Sequence, residues 1–380
     1  MAKIKLMTVV GTRPEIIRLS EIIKKCDTYF DQILVHTGQN YDYELNQVFF
    51  DDLGLRAPDY YLDAVGGNLG ETIGNIIGKA YTLMTEIKPD ALMILGDTNS
   101  CLSAIAAKRL HIPIFHLEAG NRCFDECLPE ETNRRIVDHI ADVNMCYSLN
   151  AKLYLNSEGT AKERTYISGS PMAEVLSRHF DSIKNSDIHK KLGLEKGKYI
   201  LLSAHREENI DTEKNFENLF SAINALAEKY DMPILYSCHP RSKKFLEQRG
   251  FKLDKRVIKH QPLGFFDYNC LQYNAFAVVS DSGTLPEESS FFLSKGLPFP
   301  AICIRTSTER PEAMEEGNFI LAGITKEQVL SAVETAVAMN DNKDYGTVVK
   351  YYDNENVSVK VCKIIQSYVG VIDRMVWRKY

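Results

Sequence analysis

Residues 91–122 read ALMILGDTNSCLSAIAAKRLHIPIFHLEAGNR, and this stretch decides the fold of the chain. It contains an apolar strand at Ala91–Leu95, an amphipathic helix at Ser100–Leu110 and a second apolar strand at Pro113–His116. A strand, a crossover helix and a strand in this order form a βαβ unit with parallel strands. Asp97 and Glu118 follow the two strands. We therefore expect both carboxylates at one edge of a sheet, where open α/β sheets bind their ligands.

The same alternation of short apolar runs and amphipathic stretches continues along the whole chain. Further strands are predicted at Ile4–Val10, Gln32–Thr37, Val143–Tyr147, Thr165–Ile167, Tyr199–Ser203, Pro233–Ser237, Val257–Lys259, Ala277–Ser280 and Ala301–Ile304. Further helices are predicted at Pro14–Cys26, Leu69–Thr85, Glu131–Ile140 and Glu213–Lys229. The 380 residues exceed what one hydrophobic core usually fills. We predict an α/β fold of the GT-B type, with two doubly wound Rossmann-like domains facing each other across a cleft.

Glycine and proline mark the predicted domain boundary at Ser168–Pro171, after which a polar stretch restarts the pattern. The predicted organisation is an N-terminal Rossmann-like domain of residues 1–168 and a C-terminal Rossmann-like domain of residues 169–357. The final segment, residues 358–380, is amphipathic and is expected to fold back on the first domain as a helix.

Composition excludes several classes of partner. The net charge of −6 provides no basic field for nucleic acid or for an acidic membrane. No apolar run reaches the roughly 18 residues of a membrane span, and residues 4–10 form a strand where a signal peptide would have its apolar region. The nine cysteines show no CxxC spacing and are expected to be reduced thiols. A cytoplasmic protein is expected, and no metal site is predicted because HExxH and HxxxH are absent.

Two turns have the residue types that bind phosphate. Gly11–Glu15 reads GTRPE after a strand, with Arg13 beside the first free amides of a helix. Ser280–Glu288 reads SDSGTLPEE, where Ser282, Gly283 and Thr284 supply amides and hydroxyls, and Glu288 could accept the hydroxyls of a ribose. The alternative for both is a plain capped helix start with acidic residues in its first turn. The absence of GxGxxG makes a single nucleotide diphosphate a better candidate than a dinucleotide.

Three more segments carry ionisable groups. His205 and Arg206 follow a predicted strand, and a histidine there can act as an acid or an electrostatic group near neutral pH. Arg310, within TERPE at 308–312, could pair with a ligand or with a neighbouring carboxylate. Glu130, within LPEETNR at 128–134, opens a helix, where capping alone could explain an acidic residue. Each residue alone fits a structural role, and their joint occurrence favours proton chemistry.

Together these segments resemble the non-hydrolysing UDP-N-acetylglucosamine 2-epimerase family over nearly the whole chain. The motifs that carry the resemblance are, in order, GTRPE at 11–15, GDT at 96–98, HLEAG at 116–120, PEETNR at 129–134, HR at 205–206, DSG at 281–283 and ERPE at 309–312. Seven ordered motifs are far more specific than any one of them.

The resemblance implies a GT-B fold and an isomerase that uses neither nicotinamide nor a metal. A base removes the proton at C2 of the sugar while UDP leaves C1. The resulting 2-acetamidoglycal and UDP stay in the closed site, and a proton returns to the other face of C2 as UDP re-adds. A lid must keep water from the glycal. The resemblance also implies a homodimer that takes a UDP-N-acetylhexosamine.

The matching motifs transfer roles to individual residues. Asp97, Glu118 and Glu130 match the catalytic carboxylates, and His205 matches the catalytic histidine, although the faces of C2 on which the carboxylates act are not assigned. The residues that the resemblance places at the substrate are Arg13, Ser282, Gly283 and Thr284 for the diphosphate, Glu288 for the ribose, Tyr268 for the uracil, and Arg206 and Arg310 as further substrate partners.

Several details are similar to one branch, the UDP-2-acetamido-2,6-dideoxy-L-talose 2-epimerases, which make UDP-N-acetyl-L-fucosamine for capsule and O-antigen. They are GQNYDYE at 38–44, GNRCFD at 120–125 and HREEN at 205–209. The first of these segments, at 38–44, differs from the Gln-His-Arg sequence of UDP-N-acetylglucosamine members. In those members this region contributes to a second, allosteric substrate site, so the difference puts such a site in doubt for this chain. Residues 121–125 are expected to determine which sugar the enzyme accepts. The alternatives are a UDP-GlcNAc/UDP-ManNAc epimerase, a hydrolysing relative, a GT-B glycosyltransferase and a non-catalytic nucleotide-sugar sensor.

Overall fold

The structure is a computed structural model that describes residues 3–38, 49–238 and 240–379. Residues 39–44 of the GQNYDYE motif therefore lie outside the described residues. The chain forms two compact units, the first from Met1–Val175 with Asn354–Tyr380 and the second from Leu176–Asp353. The sequence placed its boundaries after Ser168 and after Val357, a few residues from these positions.

A seven-stranded parallel sheet forms the centre of the first unit. Its strands are β1 (Lys5–Val10), β2 (Asp31–His36), β3 (Tyr60–Tyr61), β4 (Ala91–Leu95), β5 (Ile114–Leu117), β6 (Val143–Cys146) and β7 (Thr165–Ile167). Their order in the sheet is β3-β2-β1-β4-β5-β6-β7. Leu6 pairs with Ala91, and Leu92 pairs with Ile114. The direction of strand order reverses between β1 and β4, so the turns after these two strands meet at a topological switch point.

Helices connect the strands of this sheet, as parallel strands require. They are α1 (Arg13–Tyr29), α2 (Leu69–Ile87), α3 (Ser103–Arg109), α4 (Pro129–Ile140), α5 (Leu149–Ser157) and α6 (Met172–Arg178), of which α6 crosses the unit boundary. The helix predicted at Ser100–Leu110 is divided into a 3₁₀ turn at Asn99–Leu102 and α3. Proline stands in the first turn of α1 and α4, where its missing N–H costs no helical bond.

The second unit has its own parallel sheet of six strands. They are β8 (Ile200–Ser203), β9 (Ile234–Ser237), β10 (Val257–His260), β11 (Ala277–Ser280), β12 (Ala301–Cys303) and β13 (Ile320–Leu321), in the order β10-β9-β8-β11-β12-β13. Its helices are α7 (Phe180–Lys184), α8 (Ile188–Leu192), α9 (Glu207–Ile210), α10 (Glu213–Tyr230), α11 (Pro240–Gln248), α12 (Phe265–Tyr273), α13 (Leu285–Ser294), α14 (Pro311–Glu315) and α15 (Lys326–Asp341). Here the switch point lies between β8 and β11.

The last helix, α16 (Val357–Met375), belongs to the first unit, where it packs against α1. The sulfur atoms of Cys26 on α1 and Cys362 on α16 are 3.7 Å apart. Glu174 accepts hydrogen bonds from the amide of Ser358 at 2.8 Å and from its hydroxyl at 2.5 Å, which fixes the start of α16. The chain therefore leaves the first unit after Val175 and returns to it at Asn354.

Each unit is held together by its own apolar core. In the first unit, residues such as Val9, Ile94 and Ile114 are completely or almost completely buried, and in the second unit Leu202, Phe220 and Val279 are buried to the same degree. The predicted α/β class with two parallel-sheet domains is confirmed by the two sheets. None of the helices in the described part of the chain is both long enough and apolar enough to span a membrane.

Candidate active site

The turns after β1 and β4 meet at the switch point of the first unit, and Glu15 joins them. Its carboxylate accepts the amide of Gly11 at 3.1 Å and the hydroxyl of Thr12 at 2.8 Å, and it also accepts the hydroxyl of Ser100. Burial raises the pKa of Glu15, although the surrounding hydroxyl and amide donors oppose this effect. The turn that contains Arg13 is thereby fixed to the turn that contains Asp97.

Arg13 is the first residue of α1 and is half-buried. Its guanidinium lies over the ring of Phe49, 5.5 Å from the ring centroid. The diphosphate contact that the sequence predicts for Arg13 stays a prediction.

Asp97 is held by Arg134, which reaches it from α4. Arg134 Nε donates to Asp97 Oδ2 at 2.9 Å, and Arg134 Nη2 donates to the same oxygen. Asn133 donates its side-chain amide to the backbone carbonyl of Asp97 at 2.9 Å. The Asp97 side chain is still 22% exposed, so it is oriented by α4 and also open to a ligand.

Glu118 follows β5 and is held from two sides. Arg18 of α1 donates to Glu118 Oε2 at 2.8 Å, and Asn121 donates its side-chain amide to Oε1 at 3.3 Å. The backbone of Glu118 is left-handed, with φ of 65°, which is uncommon for a residue other than glycine and typical of functional sites. Gly96 lies so close that a Cβ there would be 3.1 Å from Glu118 Oε2. The structure therefore brings the Asp97 and Glu118 turns together at one edge of the sheet.

The adjacent glutamates of α4 have different surroundings. Glu131 is 1% exposed and accepts Arg134 at 2.9 Å and both the amide and the thiol of Cys123 at 3.2 Å. Burial would raise the pKa of Glu131, but the Cys123 amide and Arg134 lower it below its usual value. Glu130, the predicted catalytic residue, is half-buried in the first turn of α4.

Behind the carboxylates lies a buried ionic cluster that the sequence analysis missed. Asp138 of α4 lies 2.9 Å from His116 Nδ1 and accepts Arg122 at 2.6 Å, and both oxygens accept the amide of Gly120 at 3.2 Å. Arg122 also donates to Glu158 at 2.5 and 2.9 Å. Burial opposes ionisation of Asp138, but His116 and Arg122 hold its pKa below the usual value. A signal was present in the sequence, because residues 131, 134 and 138 share one face of α4.

This cluster changes the interpretation of residues 121–125. Arg122 is only 1% exposed, and its guanidinium is bonded to Asp138, Glu158 and the carbonyl of Asn121. Arg122 thus serves to fix the loop in place. Cys123 is linked to Glu131, and Asn121 bonds Glu118, a predicted catalytic group, directly.

Asp281 organises the switch point of the second unit. Its Oδ2 accepts the backbone amides of His205 and Arg206, each at 2.8 Å, and the side-chain amide of Asn209 at 3.2 Å. Its Oδ1 lies 3.2 Å from His205 Nδ1. The His205 side chain is 43% exposed, so one ring nitrogen faces Asp281 while the ring remains accessible. Such a carboxylate sets the orientation of a histidine ring.

A chain of hydrogen bonds connects the predicted nucleotide-binding residues after β11. The hydroxyl of Ser282 lies 2.9 Å from that of Thr284, which donates to Glu288 Oε1 at 2.8 Å. Glu288 Oε2 accepts Gln272 at 2.7 Å. Burial and the nearby Glu288 raise the pKa of the half-buried Tyr268. Ser282, Thr284, Glu288 and Gln272 thus form one hydrogen-bonded polar cluster.

Arg206 and Arg310, the two arginines predicted as substrate partners, have different surroundings in the second unit. Arg206 donates to the carbonyl of Asp281 at 3.2 Å and lies 3.9 Å from Glu309, which Arg305 binds at 2.7 Å. A Cβ on Gly283 would lie 2.9 Å from the same Glu309 carboxylate, so the backbone approaches these charges closely. Arg310 is fully buried with its guanidinium 3.9 Å from Glu287. Its position therefore favours the pairing with a carboxylate over the contact with a ligand.

Among the described residues there is no group of three or more histidine, cysteine, aspartate or glutamate side chains arranged to hold a metal ion.

Comparisons with known proteins find relatives along nearly the whole chain. The model of the family UDP-N-acetylglucosamine 2-epimerase matches residues 24–366. The structure of UDP-N-acetylglucosamine 2-epimerase from Rickettsia bellii is 46% identical, has a TM-score of 0.91, and the match covers 99% of this chain and 100% of that one. The Methanocaldococcus jannaschii UDP-GlcNAc 2-epimerase in complex with UDP-GlcNAc and UDP is 31% identical with a TM-score of 0.88, covering 96% and 99%. The UDP-2,3-diacetamido-2,3-dideoxy-D-glucuronate 2-epimerase of Pseudomonas aeruginosa is 31% identical, covering 90% and 96%.

Proposed function

Because this chain belongs to the UDP-N-acetylglucosamine 2-epimerase family and is a non-hydrolysing isomerase of UDP-sugars, we propose that its substrate pair is UDP-2-acetamido-2,6-dideoxy-L-talose and UDP-N-acetyl-L-fucosamine. The product would be a precursor of capsule or O-antigen polysaccharide. The observation that carries the proposal is the GNRCFD segment at 120–125, whose Asn121 bonds Glu118. A relative that acts on a diacetamido-glucuronate supports the idea that the sugar varies within this family.

The carboxylates of the first unit suit the proton transfers of this reaction. Asp97 and Glu118 each accept a hydrogen bond from an arginine, which holds the carboxylate in a fixed position from which it can take the proton from C2. Glu130 is half-buried and is proposed as a third proton-transfer group. Electrons of the C2–H bond form the C1–C2 double bond of the glycal, the C1–O bond breaks, and UDP takes the electron pair. UDP then adds back to C1 while a proton is delivered to the opposite face of C2, which gives the epimeric UDP-sugar.

The second unit supplies groups suited to UDP. His205, oriented by Asp281, and the amides and hydroxyls at Ser282–Thr284 would stabilise the charge of the leaving diphosphate. Glu288 already accepts two hydrogen bonds, from Thr284 and Gln272, so the hydroxyls of a ribose could add to or replace these donors. Tyr268, half-buried on α12, is proposed to lie against the uracil.

The test is incubation of the purified enzyme in D₂O with each UDP-sugar pair, followed by NMR of the UDP-sugar pool. We expect deuterium at C2 of product, and kcat/KM at least about 100-fold higher for the 6-deoxy-L pair than for UDP-GlcNAc. A preference for UDP-GlcNAc would replace the proposed substrate by the second candidate, which the names of the Rickettsia and Methanocaldococcus relatives support. Product with fully protonated C2 would overturn the elimination mechanism.

The family resemblance also supports a homodimer, which we include in the proposal. Sedimentation of the purified protein tests it, with a species of twice the 43.1 kDa chain mass as the expected result and a monomer at working concentrations as the contrary one.

A further inference from the structure

Asn121 lies in the segment between β5 and α4 and contacts the carboxylate of Glu118 directly. Its side chain is 4% exposed, and Nδ2 donates to Glu118 Oε1 at 3.3 Å. The other oxygen of Glu118 accepts Arg18 at 2.8 Å. A carboxylate with a donor on each oxygen has lost its freedom to rotate about the last side-chain bond.

The position of Asn121 is itself fixed from behind. Arg122 donates to the carbonyl of Asn121 at 2.8 Å, and Arg122 is anchored by Asp138 at 2.6 Å and by Glu158. The side chains of Arg122 and Asp138 are fully buried. A rigid series of contacts thus runs from the buried ionic cluster through Asn121 to Glu118.

We propose that Asn121 is a positioning residue for Glu118, which directs the carboxylate at C2 of the sugar together with Arg18. This inference rests on the proposed function, because it assumes that Glu118 transfers a proton at C2. An amide can hold the carboxylate in place without adding a second positive charge beside it. Asn121 therefore acts through Glu118, and its contribution concerns the proton-transfer step.

The test uses two substitutions of nearly the same size. Asn121→Leu removes the donor, and Asn121→Asp replaces the donor by an acceptor of the same shape that repels Glu118. Because misplacement of a reacting group by about 1 Å can cost about 100-fold in rate, we expect N121L to lower kcat by about tenfold or more and N121D to lower it further. KM and the Kd for UDP are expected to stay within about twofold of the native enzyme because uniform binding is unchanged.

A second readout separates positioning from a general loss of folded enzyme. In D₂O, the ratio of deuterium at C2 in recovered substrate to deuterium at C2 in product reports how protons are delivered to the two faces of the sugar. Misdirecting a group that serves one face changes this ratio, whereas a smaller amount of folded enzyme lowers both values equally. Asn356→Leu is the matched control, because Asn356 is exposed and its side chain forms no cap at the start of α16.

The assay uses whichever UDP-N-acetylhexosamine the native enzyme turns over, so an error in the proposed sugar does not affect it. Unchanged kcat and an unchanged deuterium ratio in both Asn121 variants would overturn the positioning role. A parallel loss of kcat, UDP binding and melting temperature would overturn it too, in favour of a purely structural residue. A native enzyme that exchanges no C2 proton would instead contradict the reaction itself.

Discussion

Arg134 binds Asp97 through two of its guanidinium nitrogens and Glu131 through the third, with Nε 2.9 Å from Asp97 and Nη1 2.9 Å from Glu131. One arginine therefore connects a buried carboxylate with a partly exposed one.

The planar shape of the Arg134 guanidinium is expected to be essential for catalysis, in addition to its positive charge. Arg134→Lys keeps a positive charge but cannot hold Asp97 and Glu131 in this geometry, so we predict that kcat falls by about 100-fold. Steady-state kinetics with circular dichroism as a check on folding would measure this. Arg109→Lys is the control, because Arg109 is an exposed arginine in the last turn of the neighbouring helix α3. Equal effects of the two substitutions would contradict the prediction.

Glu130 and Glu131 should differ sharply when each is changed to glutamine. Glu130→Gln is predicted to lower kcat by about 100-fold or more through loss of a proton-transfer group, with a stability change within about 0.5 kcal/mol. Glu131→Gln removes a buried charge bonded to Arg134 and is predicted to destabilise the fold by about 3 kcal/mol. Urea unfolding and kinetics on both variants measure the two effects. A large loss of stability in E130Q with full activity would reverse the assignment.

Removal of Arg122 is expected to damage the fold more than removal of its outer partner. Arg122→Met leaves Asp138 buried without its cation, which costs about 3–5 kcal/mol. Glu158→Gln should cost under about 1 kcal/mol, because the Glu158 side chain is 27% exposed. Comparison of their urea midpoints tests this order, and similar midpoints would contradict it.

Acid is predicted to destabilise the first unit through His36. Burial lowers its pKa from 6.5 to about 4, and its Nδ1 accepts the amide of Gly38 at 2.9 Å, which requires an unprotonated nitrogen. The unfolded chain binds this proton at higher pH than the folded chain. His36 therefore contributes stability above pH 6.5, and the contribution is lost as the pH falls toward 4, by up to about 3 kcal/mol.

His36→Gln should flatten this part of the curve of unfolding free energy against pH, as measured by urea unfolding at several pH values. A curve that stays as steep in H36Q as in the native protein between pH 6.5 and 4 would assign the acid sensitivity to other groups.

Glu288 is predicted to carry much of the affinity for UDP. Glu288→Ala should raise the Kd for UDP by about tenfold or more, because hydrogen bonds to a charged acceptor are worth about 1.5–3 kcal/mol. Titration calorimetry measures it. Glu327→Ala is the control, since Glu327 is an exposed glutamate in the first turn of another helix of the second unit, and it is expected to leave Kd unchanged. A normal Kd in E288A would remove Glu288 from the nucleotide site.

The sequence predicted most strands well, including the edge strands β7 and β10, and missed the two shortest strands, β3 and β13. Ala91–Leu95, Thr165–Ile167 and Ala277–Ser280 have the predicted bounds, because apolar strands flanked by turn residues have clear limits. The edge strands β3 and β13 have only two residues each and are not fully buried, so no periodic pattern marks them. Their existence depends on pairing with β2 and β12.

Contacts between distant residues explain what the sequence analysis missed at the candidate site. The turns that carry Asp97, Glu118 and His205 were located from strand ends, but their partners Arg134, Arg18 and Asp281 are set by tertiary packing. Arg18 and Glu118 are separated by 100 positions. The roles of the predicted site residues remain predictions, and the experiments above are their tests.

The return of α16 to α1 has a consequence for biosynthesis. Cys26 and Cys362 meet across 336 positions of sequence, with the complete second unit between them. On the ribosome, the second unit therefore emerges as a whole before the helix that completes the first unit is available. Until α16 has been synthesised, the surface of α1 that packs against it stays exposed. The first unit is therefore completed late, after translation, although most of its residues are synthesised first.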